Sequence, residues 1–135
     1  MRIAHIILLL LLVVTGFSAG PVKHDALGVS LIRLIGSPKE YAGKTVRVVG
    51  YLHLEFEGNG IYIHREDYER GLSKNSLWVD APTEMMKEMQ KLNDRYVLLE
   101  GVFEPEMQGH MGLSSGSIIK INRVDLWPFD RSLKK

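Results

Sequence analysis

Residues 43–56, GKTVRVVGYLHLEF, alternate in character at every second position. Val46, Val48, Gly50, Leu52, Leu54 and Phe56 fall on one side, and Arg47, Val49, Tyr51, His53 and Glu55 on the other. A period of two over this length belongs to a strand with one face in a core and is incompatible with a helix. Gly50 in mid-strand costs local stability and predicts a bend or bulge, the device by which one strand serves two sides of a barrel.

The first twenty residues are set aside from fold reasoning. Met1-Arg2 is a short basic start, residues 6–14 are an unbroken apolar run, and residues 15–20 (TGFSAG) are mostly small. That layout is a secretory signal peptide, with cleavage after Ser18 or Gly20, and it predicts a periplasmic or secreted protein. The apolar run is shorter than the ~20 residues of a membrane span, so no span is expected once the signal is removed. There is no cysteine in the chain, which excludes disulfides and a lipid-modified N-terminal cysteine. The remaining chain, about 115 residues, suffices for one domain with a modest core that stabilises the fold without cross-links. Lys and Arg number 17 against 16 Asp and Glu, and losing Arg2 balances them. Near-zero net charge makes nucleic acid an unlikely partner, since a general polyanion binder takes its affinity from neutralised phosphates.

After a polar lead-in over residues 21–28, residues 29–35 (VSLIRLI) read as a short helix ended by Gly36. Ser37, Pro38 and Glu40 have the spacing of a capping box for a second short helix, with Tyr41 packed on the barrel. Gly58-Asn59-Gly60 is a turn into a second strand over residues 61–65, with Ile61 and Ile63 inward and Tyr62 and His64 outward. Residues 66–76 form a polar surface loop with one helical turn near 67–70, and residues 77–80 a short third strand with Leu77 and Val79 inward. Residues 82–92 form the clearest helix, its apolar stripe being Met85, Met86, Met89 and Leu92. Residues 96–104 and 118–124 are the fourth and fifth strands, joined by a glycine- and serine-rich connection over residues 105–117. Trp127 and Pro128 close the domain, which spans residues 29–129, and a loose charged tail follows from 130 to 135. Five strands with the one good helix between the third and fourth predict an all-β, five- to six-stranded OB-like barrel; a six-stranded barrel or a β-sandwich is the alternative.

Function is sought on the outer face of the first hairpin, where OB barrels receive ligands. Tyr51 and His53 lie there on one strand and Tyr62 and His64 on the next, with Glu55 and Glu57 further along. Aromatic rings there suit stacking, and histidines suit proton transfer or metal binding. His110 belongs to the unusual loop Gly109-His110-Met111-Gly112, whose glycines serve either a ligand or a tight crossover. Neither the metal nor the catalytic reading gathers a full set of residues. His53 and Glu55 need a third ligand, and no acid is placed to orient a histidine beside Ser114, Ser115 or Ser117. No catalytic residue, metal ligand or cofactor is assigned.

The pattern V-S-L-I-x-L-I-x-x-P-x-x-Y-x-G-K-x-V-x-V-x-G-Y-L, with the G-H-M-G loop near the far end, resembles small uncharacterised exported bacterial proteins with an OB-like barrel. The resemblance implies that fold and export, and carries over no catalytic residues. Residues and resemblance together predict an exported binding or interaction module, with ligand residues Tyr51, His53, Tyr62, His64 and His110 and a protein or peptide partner. The alternatives are an oligonucleotide- or metal-binding barrel, or a small hydrolase using His110 or the His53/His64 pair.

Overall fold

A computed structural model describes residues 25–134; the expected signal peptide, residues 1–20, lies outside them. The alternating stretch forms β2 (Thr45–His53), and five further strands join it: β1 (Leu27–Gly28), β3 (Gly60–Tyr62), β4 (Ser76–Val79), β5 (Arg95–Glu104) and β6 (Ser117–Leu126). The strands run in the order β1-β2-β3-β4-β6-β5, and β2 pairs also with β5. Five strands therefore close into a barrel, and β1 is an extra parallel strand on its edge, Leu27 opposite Val46. Closure runs through antiparallel β2–β5 pairing, from Thr45 opposite Val102 to Leu52 opposite Arg95. It is completed by parallel pairing of β4 with β6. Among the described residues no helix is long and apolar enough to cross a membrane.

The inward face of β2 supplies Val46, Val48 and Leu52 to the core, and Leu54 follows just past its end; Ile61, Leu77, Val79, Val97, Leu99, Phe103 and Ile118 meet them there. Phe56 departs from the expected pattern. The strand ends at His53, Gly58 N–H closes a turn onto the Glu55 carbonyl at 3.1 Å, and Phe56 stands 93 % exposed. Gly50 is required by crowding. A Cβ there would come within 2.6 Å of the Tyr62 carbonyl oxygen and of Leu31 Cδ1. A register shift in the β5–β6 ladder falls between Glu100 and Val102; Gly101 alone stands against Lys120, Ile121 and Asn122, so the bulge is on β6, where Lys120 is left-handed, φ 48°.

Among the described residues four α-helices complete the fold: α1 (Leu31–Gly36), α2 (Pro38–Tyr41), α3 (Arg65–Glu69) and α4 (Thr83–Lys91). Ser30 caps α1, its Oγ accepting the Arg33 N–H, and Leu31 and Leu34 are buried. The capping box expected from Ser37 does not form, because the Ser37 side chain makes no cap bond and Glu40 turns toward Arg33, 3.9 Å away. Tyr41 is buried as expected. On α4, Met89 is fully buried and Met85, Met86 and Leu92 pack against the core, so the methionine stripe is core filler.

Residues 65–76 are more ordered than a surface loop. Asp67 of α3 is buried; its carboxylate accepts the His64 backbone N–H at 2.9 Å and Asn75 Nδ2–H at 2.8 Å. That satisfied carboxylate ties both ends of the segment together and holds α3 against the hairpin it follows.

Candidate functional site

Tyr51 and Tyr62 face each other across the β2–β3 ladder, and alternation sends their side chains away from the core. They are nevertheless buried, as is His53 at 9 % exposure. The cover is Tyr68 of α3. Its ring stacks on the His53 ring at 3.8 Å between centroids and meets Tyr62 edge-on at 5.5 Å. Tyr51 lies 6.2 Å from Tyr68 and 5.6 Å from Tyr96. The expected exposed aromatic face is therefore corrected to an aromatic nest roofed by a helix.

Asp94 anchors the nest from the α4–β5 junction. It adopts a left-handed backbone, φ 58°, and its N–H donates to the Leu52 carbonyl at 2.9 Å. Its Oδ1 accepts from His53 Nδ1 at 2.6 Å and from Tyr51 Oη at 3.0 Å. The His53 bond holds the Asp94 carboxyl below its ordinary range, helped by the Tyr51 hydroxyl and opposed by partial desolvation. Burial, with the Asp94 hydrogen bond second, pushes the Tyr51 phenol up to about 12. An ionised carboxylate only accepts, so the proton between Asp94 and His53 sits on Nδ1. His53 Nε2 is sealed from solvent without a hydrogen-bond partner, and Glu55 Oε2 lies 3.5 Å from it.

The open concavity lies beside this nest, between residues 54–59 and residues 105–116. A cleft of about 570 Å³ is lined by Glu57, Asn59, Trp78, Met107, Gln108, Gly109 and His110. The outward side chain of β4, Trp78, is its apolar floor. Gly109, at φ +68°, packs so closely on the Trp78 ring that a Cβ would fall 2.6 Å from it. The loop glycine thus serves the close approach of backbone to an aromatic ring. His110 is exposed, with Nε2 3.7 Å from Glu57 Oε2. Glu57 is itself left-handed, φ 57°, uncommon for a non-glycine residue. The cleft continues into a narrower slot of about 140 Å³, whose lining adds Glu55, Tyr62, Ser73 and Ser114. Ser117 Oγ donates to the Met107 carbonyl at 2.5 Å, and Lys74 Nζ donates to the Gly112 and Ser114 carbonyls at 2.8 and 3.1 Å. The loop is thereby tied to β6 at one end and to the turn just before β4 at the other. Around it, Phe56, Met111 and Leu113 are exposed.

The five residues singled out from the sequence divide accordingly. Tyr51, His53 and Tyr62 converge beneath Tyr68; Tyr62 also reaches the slot, where it meets His110 as a second wall. His64 is exposed, caps α3 through its backbone and lines neither the cleft nor the slot. Among the described residues no group of three or more His, Asp or Glu could hold a metal ion. Sequence reasoning passed over Tyr68, the lone aromatic among the charges of EDYER, and Asp94, 41 residues from its partner His53. Nor does sequence spacing join Trp78, Glu55 and Glu57 to His110, with which they line the slot.

Comparison with known proteins returns no match: no family model, no curated protein and no solved structure aligns with this chain.

Proposed function

We propose that the chain is an exported, OB-like binding module that receives a polypeptide segment in the cleft floored by Trp78. The OB-like reading is supported by the strand order, the parallel closure of β4 on β6 and the position of α4 between β4 and β5. In such barrels the faces of the second and third barrel strands, and the loops at their rim, take the ligand. Here those strands are β3 and β4, and the loops are residues 54–59 and 105–116. Export rests on the basic, apolar and small-residue layout of residues 1–20.

The single observation that carries the binding reading is the cleft itself: a half-buried tryptophan ringed by polar groups between two loops, one of them bearing Met107 and Met111, within the ~300–1,000 Å³ of ligand sites. The exposed apolar side chains around it, Phe56, Met107, Met111 and Leu113, suit a polypeptide better than a sugar. Carboxylates at the mouth, Glu55 and Glu57, oppose a phosphate backbone. No catalytic role is assigned.

The test is tryptophan fluorescence of W127F, in which Trp78 is the sole reporter, titrated with random-sequence hexapeptides and with single-stranded oligonucleotides at low salt. Saturable changes with a subset of peptides and none with oligonucleotides are expected. Oligonucleotide binding that weakens steeply with salt, or silence with every peptide, overturns the reading.

A further inference from the structure

We infer that the slot beside Trp78 is a receptor for a basic side chain, a lysine ammonium or arginine guanidinium of the bound polypeptide. The inference rests on the cleft being a peptide site and specifies what it reads. Glu55 and Glu57 stand in the lining, with the rings of Tyr62 and Trp78 and the side chains of Ser114 and His110. Aromatic faces and carboxylates together are the chemistry that holds a cation, by cation–π attraction and charge-assisted hydrogen bonds. Neither carboxylate has a Lys or Arg partner among the described residues. Glu55 faces only His53, and Glu57 only His110. Some surface carboxylates do find such partners, Glu69 with Arg65 at 2.8 Å and Glu88 with Lys91 at 2.8 Å. Lys74, the nearby cation, is bound to the backbone carbonyls of Gly112 and Ser114.

A second observation comes from the nest. His53 is nine-tenths buried, with Nδ1–H given to Asp94 and Nε2 left without a partner. Nε2 points at Glu55 Oε2 across 3.5 Å. In the neutral ring these are two acceptors facing each other with no donor between them. A cationic N–H donor seated on Glu55 gives its carboxylate the donor it lacks and lowers the negative charge facing Nε2. The slot, at about 140 Å³, admits one side chain and leaves the larger cleft on Trp78 for its neighbours.

The test follows the indole N–H signal of Trp78 in the ¹H–¹⁵N spectrum of the wild-type protein, assigned with W127F. Three probes differ at one position: acetyl-Leu-Arg-Leu-amide, its lysine counterpart, and its citrulline counterpart, the last nearly isosteric with arginine but uncharged. The arginine and lysine peptides should bind at least ~10-fold more tightly than the citrulline peptide, and the preference should fall below ~3-fold in E55Q/E57Q. The single variant E57Q, altered only at an exposed side chain, should show an intermediate loss and guards against misfolding of the double variant. Equal affinity for arginine and citrulline peptides overturns the inference while leaving the cleft a peptide site. An arginine preference that survives in E55Q/E57Q overturns it too, by placing charge recognition elsewhere. Silence of Trp78 with these probes while random hexapeptides bind sinks the inference alone; silence with all peptides sinks the peptide reading with it.

Discussion

Replacing Gly50 with alanine tests why the central strand carries a glycine. The new Cβ would lie 2.6 Å from Leu31 Cδ1, 2.6 Å from the Tyr62 carbonyl oxygen and 2.8 Å from Ile61 Cγ1. The two side chains can give way by changing rotamer. The carbonyl cannot, because it belongs to β3, so β2 and β3 must part by about 0.7 Å to reach the ~3.3 Å at which carbon and oxygen normally touch. Overpacking of this kind costs about 1–3 kcal/mol, and a displaced backbone belongs at the upper end. The loss of unfolded-state freedom on going from glycine to alanine returns about 0.4–1 kcal/mol. A net loss of about 2 kcal/mol follows, which for a domain of this size lowers the melting temperature by roughly 8–15 °C. The assay is thermal unfolding by circular dichroism of wild type, G50A, L31A and L31A/G50A. Removing the Leu31 contact should rescue only part of the loss, since the carbonyl clash persists, and the double variant should be non-additive. A melting temperature for G50A within 2 °C of wild type would refute the crowding argument and return Gly50 to a role in curvature alone.

Three further outcomes are expected. Tyr68→Ala should cost about 2–3 kcal/mol by unroofing His53 and Tyr62, and hydrogen exchange should show lost protection over α3 with β5 and β6 unchanged; global loss of protection would contradict a local roof. Asp94 contributes stability that is present above its ordinary value of 3.8 and lost as pH falls through its lower folded value, so D94N should flatten the acid limb of the stability profile. Tyr51 works oppositely. Its raised value, about 12 against an ordinary 10.0, stabilises the fold below pH 10 and loses that contribution as pH rises toward 12. Phenolate absorbance should place its titration near 12 in wild type and lower in D94N, burial sustaining the remainder.

The core face of β2 was legible because a period of two survives in the chemistry of Val46, Val48, Leu52 and Leu54. So was α4, where Met85, Met89 and Leu92 repeat at helical spacing. Other parts were not. The two-residue β1 has no period to detect, and it was read as lead-in. Phe56 kept the alternation in sequence, but the strand had already ended. The largest miss concerns the outer face of the hairpin: Tyr51 and His53 were placed outward correctly, yet their exposure depended on Tyr68, one aromatic in a five-residue helix too short for an amphipathic signature. Asp94 meets His53 across 41 residues of sequence, a pairing made only by closure of the barrel. The loop glycines were open to a ligand or a crossover role; Gly109 packs against Trp78 in the cleft, and the cleft they shape depends on backbone conformations such as the left-handed Glu57 that composition does not encode.

The most direct test of the account maps a peptide that binds in the fluorescence panel onto the protein by backbone amide shifts. The account predicts that the perturbed amides cluster at Glu57, Asn59, Trp78 and residues 107–110, with the Trp78 indole shifting in step. Shifts gathered instead around Arg65, Arg95 and Asp130, which line a separate cleft of about 440 Å³, would contradict it.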